Sequence, residues 1–342
     1  MRSHLDQKFA MSAQDRTLDQ YHEYMQINSV SHFMRAAREV GLIGELQQGQ
    51  RTLEQLVTNL SLQEGPTGLL LDALIAIGMI EKYGDDFALS RAAQLLCQYD
   101  DDLGDRRWSG LADAVRGKAK GIDNDSHFSA NAATQWVHTP AAIQAAEILN
   151  IGGEGELAGP KILDLGCGSA VWSCAMAHQD AAATITAVDH AGAIEAAMTM
   201  AESIDLGDRL TTIQGDPKSV ELPEDEFDIV LLAQRFCALG QVEAAELLAR
   251  AIRAAKPGGR IVVIDLFRGP TKPNLTESIE ALKLELETSE GQMRSLESAQ
   301  EIFAKAGLTG VQFTFLAASR SNMGLVVGNL SLIHISEPTR PY

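Results

Sequence analysis

An apolar run that contains an acid leads directly into a Gly-x-Gly turn near the middle of the chain. The run Lys161–Leu165 has the β-type residues of a buried strand and carries Asp164, and Gly166, Cys167 and Gly168 follow it at once. Glycines at such a strand end allow a tight turn and let a ligand approach the backbone closely. The pattern predicts a nucleotide-binding loop, although a single Gly-x-Gly pair also occurs in ordinary turns.

Two more acidic markers follow, with the spacing of a nucleoside-binding site. Asp189 ends the second apolar run, 21 residues after Gly168, where an acid could hold two ribose hydroxyls. A carboxylate suits that role because it can accept two hydrogen bonds at once. The third run ends in Gly215 and Asp216. Each acid alone is typical of a helix N-cap or a solvated turn, but their joint order indicates one site.

From residue 160 to residue 329, short apolar runs alternate with helical stretches. The candidate strands are residues 161–165, 184–189, 210–214, 227–233, 260–266, 310–315 and 325–327. The candidate helices between them include residues 171–178, 193–204, 242–255 and 298–306. This alternation predicts a doubly wound, mostly parallel seven-stranded sheet. Such sheets bind ligands beyond the carboxyl ends of their strands, which is where the markers fall.

The N-terminal part has a different pattern, and we predict a separate domain over residues 18–100 after a flexible N-terminus at residues 1–17. Apolar residues recur at helical spacing, and Thr52 with Gln55 forms a capping box before a second helix. Residues 80–83 and 87–89 indicate two short strands around a turn. Helices followed by a hairpin in this order are typical of a winged helix.

A winged helix often binds DNA, but the charges of this segment argue against that function. Residues 1–100 contain eight Lys and Arg against thirteen Asp and Glu, and residues 66–80 contain no basic residue. A recognition helix without Lys or Arg would be unusual. A winged-helix transcription regulator with a ligand-sensing domain therefore remains only a rival hypothesis.

Together these motifs resemble the class I S-adenosylmethionine-dependent methyltransferases, and the whole chain is similar to the plant-type and bacterial small-molecule O-methyltransferases. The resemblance implies a winged-helix dimerisation domain at residues 18–100, a helical connector that forms the substrate pocket at 101–155, and a Rossmann-like methyltransferase domain at 156–329. It implies that S-adenosyl-L-methionine is the cofactor and that the chain forms a homodimer. Within the connector, residues 121–129 read as a loop. Residues 330–342 look like a non-native, adapter-derived tail.

The resemblance also gives roles to the markers in the methyltransferase domain. The predicted cofactor-binding residues are Asp164, Gly166, Cys167, Gly168, Asp189, Gly215, Asp216 and Gln234. The loop at Gly166 would contact the methionine part of the cofactor, Asp189 the ribose, and Asp216 the adenine amino group. A nicotinamide cofactor is disfavoured because Val171 stands where its fingerprint needs a third glycine.

The family's general-base histidine, which follows the fourth strand, is absent here. Cys237 stands at its position in the matching segment 235–240. The catalytic residue is therefore left open, with Arg235, Cys237 and His138 as candidates and His127 and His190 as further histidines. Three accounts remain: another residue is the base, the acceptor needs no strong base, or the domain binds the cofactor without transferring a methyl group.

Composition limits the remaining function classes. The net charge of −18 argues against nucleic acid or an anionic membrane as the main partner. The spacing of the four cysteines indicates neither a zinc site nor a disulfide framework, and we predict no metal and a cytoplasmic location. The leading prediction is methyl transfer to a small-molecule acceptor. The alternative is an S-adenosylmethionine-binding protein with a non-methylating reaction or a regulatory role.

Overall fold

The computed structural model describes residues 13–118, 124–152, 158–269 and 271–331. The chain divides into two compact units, Met1–Asp105 and Arg106–Tyr342. The predicted boundary at residue 100 is close to this division in sequence. None of the described helices is long and apolar enough to cross a membrane.

The N-terminal unit consists of helices around a small antiparallel sheet. Its helices are α1 (Ala13–Glu39), α2 (Leu42–Gln47), α3 (Leu53–Leu60), α4 (Glu64–Ala76) and α5 (Arg91–Tyr99), and its strands are β1 (Arg51–Thr52), β2 (Ile80–Tyr83) and β3 (Asp86–Leu89). The strand order is β1-β3-β2. Helix α1 begins inside the segment 1–17 that was predicted to be flexible, and residues 1–12 lie outside the described residues. The predicted hairpin is present, whereas the winged-helix assignment stays a prediction.

Local sequence explains the start of α3. The Thr52 hydroxyl accepts a hydrogen bond from the Gln55 backbone N–H at 3.3 Å, and the Gln55 side chain accepts one from the Thr52 N–H at 2.9 Å. The predicted capping box is therefore formed, and it satisfies two backbone donors at the helix end. Behind it, Leu56, Leu71 and Leu74 are fully buried in the core of this unit.

The second unit is an α/β domain preceded by short helices. Its helices are α6 (Asp105–Ser109), which begins at the division between the units, α7 (Leu111–Val115), α8 (Asn124–Thr134), α9 (Thr139–Ile148), α10 (Val171–Gln179), α11 (Ala191–Ser203), α12 (Gln241–Ala254), α13 (Leu275–Glu287) and α14 (Leu296–Lys305). Its strands are β4 (Lys161–Leu165), β5 (Thr184–Asp189), β6 (Leu210–Gln214), β7 (Phe227–Ala233), β8 (Ala255–Leu266), β9 (Thr309–Phe315) and β10 (Met323–Asn329). A 3₁₀ turn, Gln135–His138, joins α8 to α9.

The seven strands of this unit form one sheet in the order β6-β5-β4-β7-β8-β10-β9. The first five are parallel, and β10 runs antiparallel to both β8 and β9. The predicted doubly wound, mostly parallel seven-stranded sheet is confirmed. The strand order reverses between β4 and β7, so the ligand crevice of such a sheet is expected beyond the carboxyl ends of these two strands.

Apolar residues cover both faces of the sheet. On one face α12 and α14 bury Leu247, Leu248 and Phe303 against Val230 and Val263. On the other face lie α9, α10 and α11. Alanines of α9 and α10 surround the fully buried side chain of Trp172, and α11 packs through Ala197 and Ala201 in a separate cluster. Because parallel strands are buried on both faces, they have near-continuous apolar sequences, and this is why β4 and β7 were easy to locate.

Three local predictions differ from the structure. The loop predicted for residues 121–129 is wrong from Asn124 onward, because α8 begins there, and residues 119–123 lie outside the described residues. Helix α13 was not among the predicted helices. Strand β8 begins at Ala255 and includes the Pro-Gly-Gly turn at 257–259, with a register shift against β7.

The predicted non-native tail begins in a described part of the chain. The Leu330 N–H donates a hydrogen bond to the Gly259 carbonyl at 2.9 Å, and Leu330 packs against the core. The first residue of the segment 330–342 is therefore held at the end of the sheet. Residues 332–342 lie outside the described residues.

Candidate active site

The turn after β4 has a backbone shape that favours glycine. Gly166 and Gly168 have φ values of 83° and 57°. The N–H groups of Gly166 and Cys167 both donate to the Val188 carbonyl, at 2.8 and 3.2 Å, so the turn is fastened to β5. A Cβ at Gly166 would lie 2.5 Å from Nε of Arg235. A side chain at this position would therefore displace the arginine.

Asp189, at the end of β5, is the centre of the hydrogen-bond network. Its Oδ2 accepts the Gly168 N–H at 2.9 Å, and its Oδ1 accepts the His190 N–H at 2.8 Å. The Arg235 guanidinium also donates to Oδ2. Only 2% of Asp189 is exposed, so this carboxylate is a buried charge that its partners compensate.

Arg235 crosses the crevice from the end of β7. Its Nε donates to the Gly166 carbonyl at 3.1 Å, while the guanidinium lies 3.9 Å from the ring centroid of Phe128 on α8. The side chain is buried. The sequence offered Arg235 as a catalytic candidate. The structure instead pairs it with the buried Asp189.

Asp164 lies deeper, within β4 beneath the turn. Its Oδ2 accepts a hydrogen bond from the Ser173 hydroxyl at 2.6 Å, whereas its Oδ1 has no partner among the described residues. The carboxyl is fully buried, and this burial raises its pKa to about 7, with the nearby Asp189 carboxylate adding to the effect. The unpartnered oxygen marks Asp164 as a group that a cationic ligand atom would stabilise.

Gly215 and Asp216 lie beside this network, after β6. The Gly215 N–H donates to the Asp189 carbonyl at 3.0 Å, which places the third strand end next to the second. Asp216 is half-buried and accepts the Lys218 N–H at 2.9 Å through Oδ1. Cys167 is buried among alanines, and burial raises the pKa of its thiol, so it is a packing residue of the turn.

A second polar cluster stands at the end of β7. Gln234 has a left-handed φ of 57°, and its Oε1 accepts the indole N–H of Trp172 at 3.1 Å. Its amide nitrogen is 3.1 Å from Nε2 of His138. The His138 and Trp172 rings stack with centroids 5.7 Å apart. Of the three candidate histidines, His138 is thus the one that contacts the end of β7.

The other two histidines make different contacts. His127 is buried, with Nδ1 3.1 Å from Oε2 of Glu287 and Nε2 3.0 Å from the Asn131 amide nitrogen. Both of its ring nitrogens are therefore engaged. His190 is exposed and precedes α11.

Cys237 is buried and is bound by a carboxylate at the end of β8. Its N–H donates to Oδ2 of Asp265 at 2.9 Å, and its thiol donates to Oδ1. Burial, followed by the Asp265 charge, raises the pKa of this thiol well above its usual value. The buried Arg294 donates to the carbonyls of Phe236 and Leu239, which fixes the segment after β7. Cys237 is thus a protonated packing residue.

Sequence reasoning missed several residues of this site. Gln135, in the 3₁₀ turn, is buried, and its Oε1 accepts hydrogen bonds from the Ser169 hydroxyl at 3.1 Å and the Val171 N–H at 3.3 Å. Phe128 and Arg294 were missed as well. Gln135 and Phe128 contact the site from the region before β4, and Arg294 fixes the segment after β7 from the region between α13 and α14. Neither periodicity nor a motif indicates a role for these residues.

The site carries the combination of a glycine turn after β4, a buried acid after β5 and polar groups after β7. Residues 162–259 match the family described as a methyltransferase domain. The chain contains a methyltransferase domain. This match confirms the predicted methyltransferase, and it covers β4 to the start of β8, which is the part that holds these markers. No curated protein sequence matches the chain.

Solved structures resemble the methyltransferase over nearly its whole length. Human N-acetylserotonin methyltransferase in complex with SAM has 19% identity and a TM-score of 0.69, covering 94% of this chain and 100% of that one. The mitomycin 7-O-methyltransferase MmcR has 20% identity and a TM-score of 0.70, covering 94% and 100%. An O-methyltransferase family protein from Burkholderia thailandensis has 19% identity and a TM-score of 0.67, covering 94% and 99%. At these identities the comparisons establish the fold.

The residues present fit S-adenosyl-L-methionine by their chemistry. Asp164 has an unpartnered buried oxygen. Asp189 is a carboxylate beside the glycine turn, and the side chains of Arg235 and Gln135 pack against that turn. In the described part of the chain, no group of three His, Cys, Asp or Glu side chains could hold a metal ion.

Proposed function

We propose that this methyltransferase transfers the methyl group of S-adenosyl-L-methionine to a small-molecule acceptor in the crevice between β4 and β7. The observation that carries the proposal is Asp189, a buried carboxylate at the end of β5. It is bound to the N–H of Gly168, in the turn after β4, next to the point where the strand order reverses. When bound, the cofactor supplies a methyl group activated by a sulfonium centre. The protein must bind, orient and desolvate the reactants.

The chain's own residues divide this work. Asp189 would accept hydrogen bonds from the ribose hydroxyls, and Asp216 would accept one from the adenine amino group. The turn at Gly166 and the carboxyl of Asp164 would hold the methionine part, whose ammonium would be a cationic partner for the free Asp164 oxygen. Gln234 would face the methionine part from the end of β7.

Calorimetric titration of S-adenosylhomocysteine into the full-length protein tests the site. We expect micromolar binding by the wild type and at least a tenfold loss in Asp189→Ala. A hydrogen bond to a charged group contributes about 1.5–3 kcal/mol, and about 1.4 kcal/mol is a factor of ten. Asp189→Asn keeps the shape but loses the charge. Asp208→Ala, an exposed acid after α11, is the matched control and should bind like the wild type. A folded wild-type protein that does not bind would contradict the proposal.

We also propose that the chain forms a homodimer through its N-terminal unit. Helix α1 carries large apolar side chains that are more than half exposed, namely Leu18, Tyr21, Tyr24 and Ile27. A stripe of this kind is typical of a protein interface. Light scattering should give twice the chain mass for the wild type and a lower mass for the double variant Tyr24→Glu, Ile27→Glu. A monomeric wild type would contradict the dimer.

We further propose a cytoplasmic location. All four cysteines are free thiols, and a reducing compartment would keep them in that state.

A further inference from the structure

The hydrogen-bond chain at the end of β7 fixes the state of His138. An indole N–H is only a donor, so the Gln234 oxygen must be the atom that faces Trp172. The Gln234 amide NH₂ then faces His138 and donates to its Nε2, 3.1 Å away. These two hydrogen bonds therefore assign a neutral imidazole to His138, which accepts at Nε2 and carries its proton on Nδ1. Among the described residues Nδ1–H has no hydrogen-bond partner.

The surroundings of His138 keep it neutral. Its burial lowers its pKa to about 4, and the positive charge of Lys283 on α13 acts in the same direction. Lys283 itself is held by Glu280 at 3.0 Å. The Trp172 ring covers one face of the imidazole. A base with so low a pKa removes few protons from a hydroxyl at neutral pH, so His138 is better suited to donate a hydrogen bond than to accept a proton.

In the described segment after β7, the titratable groups supply no free proton acceptor. Asp265 is buried and accepts from the Cys237 N–H, the Cys237 thiol and the Leu266 N–H. The Cys237 thiol is the donor of that pair. Arg235 is a cation. In the described residues around Gln234 and the segment after it, the acid and the cation are thus each bound to partners within the protein.

Building on the proposed function, we propose that the methyl acceptor enters this site already ionised, as an acidic phenol, enol or carboxylate, and that neutral His138 holds its oxygen as a hydrogen-bond donor through Nδ1. The acceptor oxygen forms the new O–C bond with its own lone pair. The C–S bond breaks, and its electron pair stays on sulfur. The negative oxygen and the positive sulfonium both become neutral, and no proton has to leave during the transfer.

A spectroscopic titration tests the acceptor class without relying on turnover. The probe is 4-nitrophenol, whose phenolate absorbs visible light, added to the full-length protein saturated with S-adenosylhomocysteine. We expect bound 4-nitrophenol to ionise at a lower pH than free 4-nitrophenol, and benzoate to bind at least tenfold more tightly than benzyl alcohol. Ionisation of bound 4-nitrophenol at a higher pH, or no preference for the ionised probes, would overturn the inference.

Two variants separate a donor from a base. His138→Asn retains an N–H donor, whereas His138→Phe retains only a ring of similar size. We expect His138→Phe to bind 4-nitrophenolate about tenfold or more weakly, since a hydrogen bond to a charged group contributes about 1.5–3 kcal/mol, and His138→Asn to lose less. If His138 were the base, the rate of 4-nitrophenol methylation would follow its titration, and His138→Asn would be as impaired as His138→Phe.

Binding of S-adenosylhomocysteine by the same samples distinguishes a failure of the proposed function from a failure of the inference about the acceptor. Its absence in the folded wild type would count against the proposed methyltransferase function. Its presence, with equal binding of ionised and neutral probes, would count against the ionised acceptor alone.

Discussion

At the scale of single residues, the pair Arg235–Asp189 joins three strand ends through one buried contact. The arginine also donates to Gly166 and stacks on Phe128, so its charge is compensated from several sides. Such a pair is costly to break, because removing one partner leaves the other as an uncompensated buried charge. Its removal should therefore affect the stability of the fold as well as ligand binding.

We predict that Arg235→Met lowers the free energy of unfolding of the C-terminal unit by about 3–5 kcal/mol. All three tryptophans lie in that unit, so urea denaturation followed by their fluorescence reports it directly. The matched control is Lys305→Met, which removes an exposed pair with Glu301 at 3.8 Å and should change little. Equal effects of the two substitutions on the free energy of unfolding would show that removing Arg235 does not leave Asp189 as an uncompensated buried charge.

Asp164 gives the stability a defined pH dependence. Because its pKa is raised to about 7 in the folded state and is near 3.8 when unfolded, the folded protein binds the proton more tightly. Its contribution is fully present below the unfolded pKa and is lost as the pH rises through about 7. Between about pH 5 and about pH 9, wild type should lose on the order of 3 kcal/mol relative to Asp164→Asn, at about 1.4 kcal/mol per pKa unit.

Urea denaturation of both proteins at those two pH values measures this difference. Since the asparagine does not titrate, pH effects from all other groups cancel when the two proteins are compared. A difference in the free energy of unfolding between the two proteins that stays constant with pH would mean that folding does not shift the pKa of Asp164.

At the scale of elements, the turn between β4 and α10 depends on the absence of a side chain. Gly166→Ala combines a φ of 83° with a Cβ 2.5 Å from Arg235 Nε, so we expect it to destabilise the unit by about 1–2 kcal/mol or more and to weaken S-adenosylhomocysteine binding. Gly192→Ala is the matched control. Its Cβ would meet nothing within 4 Å, and it lies in α11, where alanine is favoured by up to about 1 kcal/mol.

Calorimetric titration with S-adenosylhomocysteine and thermal denaturation of the two alanine variants test this prediction. Gly192→Ala should be as stable as the wild type or slightly more stable, with unchanged binding. If Gly166→Ala behaved in the same way, the close approach of Arg235 would not constrain the side chain at this position.

The parallel strands were predictable because their signals are local. The bounds of β4, β5, β6 and β7 agree with those predicted, since each is a short apolar run ended by a turn residue or an acid. Helix α8 was not predictable, because its start is rich in Asn, Asp and Ser, which favour caps and turns when tertiary contacts are ignored. Its packing through Phe128 and Ala132 depends on residues distant in sequence.

The site was predictable in part for the same reason. The acids and glycines fall at strand ends and were found in order. The contacts that decide the chemistry join residues far apart in sequence: Gln234 meets His138 across 96 positions, and Cys237 meets Asp265 across 28. No periodicity connects such residues, so the choice among His127, His138 and His190 required three-dimensional contacts.

At the scale of the whole molecule, the formal charge of −18 must oppose the association of two copies. Apolar side chains on α1 would drive pairing, whereas like charges would weaken it at low ionic strength. Added salt shortens the Debye length from about 30 Å at 0.01 M to about 10 Å at 0.1 M, and this screens the repulsion. The dimer should therefore dissociate less readily as salt is added.

We predict that the dimer dissociation constant, measured by sedimentation equilibrium, falls as NaCl is raised from about 0.01 M to about 0.3 M. The N-terminal unit offers a contrasting case, since binding to DNA through phosphate contacts would weaken steeply over the same range. Sedimentation with and without a DNA duplex, at both salt concentrations, separates the two functions of this unit. Dimerisation that strengthens with salt, without DNA binding at low salt, fits an interface; DNA binding at low salt that is lost at high salt would favour the rival regulator.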